Sequence, residues 1–209
     1  MLRSEIAREQ GSKRSATTAA AAVATLAFVA WAAVSFLFPA GHGGAEPAEA
    51  KQQGPCPYAH SGPREIDQSQ AKESIVCLIN KKRASHGVGG VAGNGSLDSA
   101  AQRHTDHMVG SGCFDHVCSG ESGMTSRVKQ TGYLNGVQSW GLGENIAAGS
   151  GSHASPASIV QAWMNSQPHR VTLLNPRFEH VGVGVDEGTP WKPHADGATY
   201  TTDFGYNHG

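Results

Sequence analysis

All the helix-like periodicity of this 209-residue chain lies before residue 168, and its clear strand-like alternation lies after residue 180. Parallel strands each need a crossover of a dozen or more residues, usually a helix, so this order does not build a parallel sheet. It predicts an α+β domain, a mainly antiparallel sheet flanked by helices. The run 69–87 places Ala71, Ile75, Leu78 and Ile79 on one stripe and stops at Gly87. The run 96–112 starts at a Ser cap and buries Leu97, Ala100, Ala101, His104 and Met108 at steps of three and four. A short helix over 122–133 ends at Gly132, and 155–167 opens with Ser155 as cap and Pro156 in the first turn. That last helix stops at Pro168, with His169 directly behind the stop. Residues 180–188 and 198–205 alternate as strands, and "GENIAAG" (143–149) reads as a third, shorter one.

Residues 16–45 carry no charge, and the apolar run 17–40 is long enough to cross a bilayer, which takes about 20 residues. Residues 1–16 form a basic flank with Arg3, Arg8, Lys13 and Arg14. Such a flank stays in the cytoplasm, so the rest of the chain is expected outside, held by a helix over 19–38. Cleavage is the other reading, because "AEA" at 48–50 would serve as a small-x-small site. Either way the chain is exported. Residues 41–69, rich in Gly, Pro, Gln and Ala, read as a linker, and 70–209 as the folded domain.

Export permits disulfides, and four cysteines allow three pairings. Cys113 and Cys118, close together in "CFDHVC", suit a loop clip, which leaves Cys56 to pin the linker's end to Cys77. A zinc site is the weaker rival, since no C-x-x-C pair occurs. The formal net charge is −1 and no Lys/Arg cluster is present, which argues against nucleic acid as a partner.

Most of the eleven histidines have a bland reading. His104 lies on the apolar face of its helix as a satisfied core histidine, and His107 points to solvent. His42, His60, His86, His153, His194 and His208 fall in loops or tails. Three residues resist dismissal. His116 lies inside the 113–118 loop, Glu144 is a carboxylate between glycines and an apolar strand, and His169 follows the helix stop. A buried carboxylate is paired or has a raised pKa. Two imidazoles and one carboxylate suit a His₂Glu site for a divalent metal such as zinc. They equally suit general acid–base work or a purely structural hydrogen-bonded cluster. No H-E-x-x-H, G-x-S-x-G or phosphate loop occurs, and no thiol is left over as nucleophile.

Taken together, "LINKKRASHGVGGVAGNGSLDSAAQRHTDHM", "FDH", "GENIAAG", "WMNSQPHR", "LLNPRFEHVGVGV" and "YTTDFG" resemble the CAP superfamily of cysteine-rich secretory, antigen 5 and pathogenesis-related 1 proteins, in its secreted bacterial branch. The resemblance runs over about residues 70–206. It implies a three-layer α-β-α sandwich and a central cavity lined by two histidines and two acidic residues. The "FDH" histidine matches His116, the "GEN" glutamate Glu144, and the histidine after the third helix His169. Where animal and plant members carry the second glutamate this chain has Asn165 and Ser166, so one acidic ligand of the family's cage is missing. Linked activities include sterol or lipid binding, defence, channel block and proteolysis. The expectation is an extracellular, non-enzymatic binding domain with a His116/Glu144/His169 cleft for a divalent metal, small ligand, lipid or cell-wall component. The rival is a hydrolase of peptide or cell-wall material.

Overall fold

The computed structural model describes residues 10–11 and 55–209; the apolar run 17–40 and the linker up to residue 54 lie outside the described residues. In chain order the elements are β1 (Gln10–Gly11), α1 (Gln68–Ser85), β2 (Ala92–Gly93), α2 (Gly95–Ser111), α3 (Met124–Lys129), β3 (Ser139–Ser150), a 3-10 turn (Gly151–Ala154), α4 (Pro156–Asn165), α5 (Gln167–Leu173), β4 (His180–Thr189) and β5 (Lys192–His208). The sheet runs in the order β1-β3-β5-β4-β2. Its long pairings, β3–β5 and β4–β5, are antiparallel, and only the two-residue β2 joins in parallel. The fold is α+β, as the order of sequence patterns predicts.

Three helices start at side-chain caps, with Asn94 taking the place at α2 of the Ser expected from the sequence. Asp67 and Gln70 form a reciprocal capping box at α1, Asn94 accepts from Ser96 and Leu97 at α2, and Ser155 caps α4. The expected stop at Pro168 is not where the break falls. α4 ends at Asn165, Ser166 takes an extended backbone (φ −94°, ψ 118°), and Pro168 stands in the first turn of a new helix, α5. A first-turn proline forfeits no intrahelical bond and its ring presets φ. His169 therefore belongs to a helix and not to a loop.

Strand alternation sorts the core into two layers. Val181, Val183, Val185, Ala198, Tyr200, Phe204 and Tyr206 pack with Ile75, Ile79, Trp163 and Leu173 of α1, α4 and α5. The opposite face carries the alternate residues of "HVGVGV", and these are glycines for a reason. A Cβ on Gly182 would stand 2.1 Å from the backbone carbon of Leu97, and one on Gly184 would stand 2.4 Å from the Ala101 carbonyl oxygen. α2 thus lies with its backbone directly on β4. Asp98 and Gln102 of α2 then accept from the Val183 and Val185 amides at 2.7 and 3.1 Å.

Arg83, fully buried in α1, ties the far end of the domain together. It donates to the carbonyls of Gly89, Leu173, Asn175 and Phe178. The disulfides join Cys56 to Cys77 and Cys113 to Cys118, the pairing expected from proximity. Among the described residues no helix is long and apolar enough to cross a membrane.

Candidate functional site

The same alternation that aims Gly182 and Gly184 at α2 aims Glu144 of β3 and Asp203 of β5 to that side. The two are direct cross-strand partners and both are fully buried. Residues opposite each other on antiparallel strands share a face, so two carboxyl groups are brought together inside the protein. Burial alone would raise the pKa of each. Glu144 escapes that fate. Burial pushes it up, but the hydrogen bond from His116 and the charges of Arg127, His104 and His116 outweigh the burial and bring it down to about 2. For Asp203, burial and the neighbouring Glu144 charge outweigh the Arg127 charge and hold it well above the ordinary aspartate range.

The partners of Glu144 come from three segments. His116, held in the Cys113–Cys118 loop, places Nδ1 2.7 Å from Oε1. Because that nitrogen faces a carboxylate, it donates to it. Arg127 of α3 donates to Oε2 of Glu144, and also to the carbonyls of His116 and Ser122 at 3.1 and 3.0 Å. His104 of α2 bonds Glu121 through Nδ1 at 2.8 Å and turns Nε2 toward Glu144 at 3.9 Å. His104 is thus buried with one ring nitrogen bonded and Nε2 without a hydrogen-bond partner, and it closes one wall of the polar cluster.

His169 reaches the cluster from α5. Its Nδ1 lies 2.8 Å from the Ser166 hydroxyl, and its carbonyl accepts from the Asn145 amide at 3.1 Å. Asn145 follows Glu144 and faces the other side of β3. Burial, followed by the nearby charge of His116, lowers the His169 pKa to about 4. Its imidazole is neutral over the whole physiological range. The structure therefore bonds His116 to Glu144 directly and holds His169 within electrostatic reach of His116, without a hydrogen bond to either. The Nε2 atoms of His104, His116 and His169 and both carboxyl oxygens of Asp203 are buried without a hydrogen-bond partner.

That donor set does not make the His₂Glu metal centre expected from the sequence. Both oxygens of Glu144 are engaged, one by His116 and one by the Arg127 guanidinium, whose fixed positive charge opposes a cation at that carboxylate. Among the described residues no group of three or more His, Cys, Asp or Glu is placed to hold a metal ion. What remains is the pair of buried Nε2 atoms of His116 and His169, without hydrogen-bond partners. The cluster is also less open than a cleft. His116, 5% exposed, and Glu121 are its members nearest solvent. A broad concavity of about 580 Å³ lies elsewhere, between α1 and α4, lined by His60, Lys82, His153 and Gln161 among others. The residue chemistry and the concavity do not coincide, and the chemistry is the better guide because the concavity holds no buried unpartnered group.

Sequence reasoning misses Arg127, Glu121 and Asp203. Asp203 has a signal: an acid in the middle of "YTTDFG" falls on the strand face opposite Tyr200 and Phe204. Arg127 in "MTSRVK" has none, since an arginine on a short helix usually faces water.

Comparison with known proteins agrees with this architecture. The family profile described as the cysteine-rich secretory protein family, CAP, matches residues 76–200. The uncharacterized protein YkwD of Bacillus subtilis is 32% identical over 124 residues, which are 59% of this chain and 46% of that protein. The uncharacterized membrane protein YlbC of the same organism is 30% identical over 119 residues, 57% of this chain and 32% of that one. The chain thus spans less than half the length of these two relatives. Among solved structures, an extracellular SCP-domain protein of Bacillus anthracis superposes with a TM-score of 0.55 at 28% identity, covering 68% of this chain and 41% of that chain. An outer surface protein of Borrelia burgdorferi superposes with a TM-score of 0.56 at 17% identity, covering 68% and 97%, and shows the fold alone.

Proposed function

This chain belongs to the CAP family, the cysteine-rich secretory proteins, and we propose that within it the protein is an extracellular domain that binds a ligand without cleaving it. The observation that carries the reading is the pair of buried, unpartnered Nε2 atoms on His116 and His169. A buried polar atom with no partner costs roughly 1–3 kcal/mol, so each of the two favours a ligand that supplies a hydrogen-bond partner. A small molecule with hydroxyl or amide groups meets that need, entering past the 113–118 loop. Glu144 fixes the orientation of the His116 ring through the bond from Nδ1.

The hydrolase reading finds less support. Glu144 is the carboxylate bonded to the His116 ring, and a base with a pKa near 2 has little tendency to take a proton from water. All four cysteines are in disulfides.

Titration with N-acetylglucosamine, a small probe that carries both hydroxyl and amide groups, tests the Nε2 pair, followed through the imidazole NMR signals at pH 7. The expected result is weak binding that shifts the His116 and His169 signals, is lost in His116→Ala or His169→Ala, and leaves His104 unmoved. If neither signal responds in the folded protein, the pair faces no ligand and the cluster is structural.

Export through the run 17–40, either as an anchor or as a cleaved leader, sets the location. The solved relative from B. anthracis is described as extracellular, which supports this. An anchor with the domain outside excludes the β1–β3 pairing, since Gln10–Gly11 would then lie across the bilayer from Trp140–Gly141. Protease added to intact cells should remove the domain. If the domain survives on cells whose surface proteins are digested, the exported topology is wrong.

A further inference from the structure

We infer that Glu144 and Asp203 form a site for one proton in the interior of the domain. At neutral pH the Asp203 carboxyl group holds that proton and donates it to the Glu144 carboxylate. The register puts the two side chains opposite each other, Glu144 on β3 and Asp203 on β5, on the sheet face that α2 covers, and neither is exposed. Three acids, Glu121, Glu144 and Asp203, gather here around a single guanidinium. Arg127 donates to Oε2 of Glu144 and lies 3.5 Å from Glu121. Asp203 is left over, and neither of its oxygens has a hydrogen-bond partner.

The neighbouring elements supply none. On β4 the residue in register with Asp203 is Gly182, which brings no side chain, and the backbone of α2 lies directly over that glycine. The hydroxyls of Thr105 and Thr201, on the same face, bond each other at 2.8 Å. His104 reaches in from α2, but its Nδ1 is bonded to Glu121 and its Nε2 stands 3.9 Å from Glu144. His116, from the 113–118 loop, is bonded to Glu144.

An ionised Asp203 would thus be a buried charge without a donor, facing a second carboxylate. Two carboxyl groups so placed do not both ionise. A proton on one of them removes the repulsion and turns two acceptors into a donor and an acceptor. Glu144 keeps its charge because His116 and Arg127 hold its two oxygens, so the proton falls to Asp203. The direction of titration agrees. Burial first, then the Glu144 charge, holds Asp203 well above the ordinary aspartate range against the opposing charge of Arg127. The proton sits on the acids whether or not a ligand meets the imidazoles, so the two readings stand or fall separately.

Infrared spectroscopy of the full chain at pH 7 is the test. An ordinary carboxyl group is ionised at that pH. The expected spectrum therefore holds a carboxylic-acid C=O band that shifts when aspartate carries ¹³C at its side-chain carboxyl and stays when glutamate does. Asp203→Asn should remove that band. A spectrum without it, or with a band that follows labelled glutamate, overturns the inference. Stability gives a second readout. The unfolded chain gives this proton up above the ordinary aspartate value of 3.8, while the folded protein keeps it, so the group lowers stability as pH rises past that value. Asp203→Asn should therefore unfold at a higher urea concentration than the parent at pH 7, with the gap closing toward pH 4. An ionised Asp203 that balances Arg127 requires the reverse, a lower midpoint at pH 7, and that result overturns the inference. If Asp203→Asn does not fold, the labelled parent decides alone.

Discussion

Arg127→Met is expected to destabilise the protein by about 3–5 kcal/mol at pH 7, because it leaves the Glu144 carboxylate buried with one of its two oxygens unpaired. The carbonyls of His116 and Ser122 lose their donor in the same step. The pH dependence separates this cause from simple loss of packing. In the parent protein the folded pKa of Glu144 is depressed to about 2, so its contribution is fully present above the unfolded value near 4.5 and is lost as pH falls toward 2. In the variant, burial is no longer offset by the guanidinium, and the folded pKa rises. The variant then takes up a proton as pH falls, and the gap between the two proteins narrows from pH 7 toward pH 3. Glu144→Gln added to Arg127→Met should recover part of the loss. Urea unfolding across that range measures all of this. A single variant within about 1 kcal/mol of the parent at pH 7 would show that the pair does not hold the site together.

His169 contributes to acid sensitivity with its own sign. Its folded pKa near 4 lies below the unfolded value of 6.5, so the unfolded chain binds the proton first. Stability is therefore full above about pH 6.5 and falls as pH drops toward 4, by up to about 3 kcal/mol at 1.36 kcal/mol per unit. His169→Gln should flatten the curve in that window. Retention of the slope in this variant would place the acid sensitivity elsewhere.

Gly182→Ala carries the second large effect, a loss of more than about 4 kcal/mol or failure to fold. The added methyl would stand 2.1 Å from the Leu97 carbonyl carbon and 2.2 Å from the Asp98 amide nitrogen. Real atoms do not approach so closely, and the obstacle is helix backbone, which cannot rotate away as a side chain can. α2 must lift off β4, and the Asp98 bond to the Val183 amide goes with it. Gly110→Ala is the contrasting case. Nothing lies within 4 Å of its new methyl and the residue is helical, so the change should be neutral or stabilise by up to about 1 kcal/mol. Thermal unfolding of the two variants side by side decides whether close approach of backbone, and not helix propensity, governs this face. Equal small effects would refute it.

Much of the architecture follows from local pattern alone. Apolar stripes mark α1, α2 and α4 to within two residues, and the Ser155 cap marks the start of α4, because a helix end must satisfy its own amides wherever it stands. Alternation in "HVGVGV" and "YTTDFG" assigns the faces of β4 and β5, since a strand of period two leaves no other choice. Proximity in "CFDHVC" suffices for one disulfide. The motif series identifies the family. What tertiary structure alone decides is who meets whom. Pro168 carries the same local signal whether it ends one helix or begins the next, and the extended Ser166 between α4 and α5 settles it. Glu144 is visible as a buried acid, but whether it binds a cation, takes a proton or pairs depends on an arginine seventeen residues back on a three-layer path. Electrostatic partnership falls off over a few ångströms of space and is blind to distance along the chain. For that reason the elements are legible in this sequence, and the charge state of their shared site is legible only in the fold.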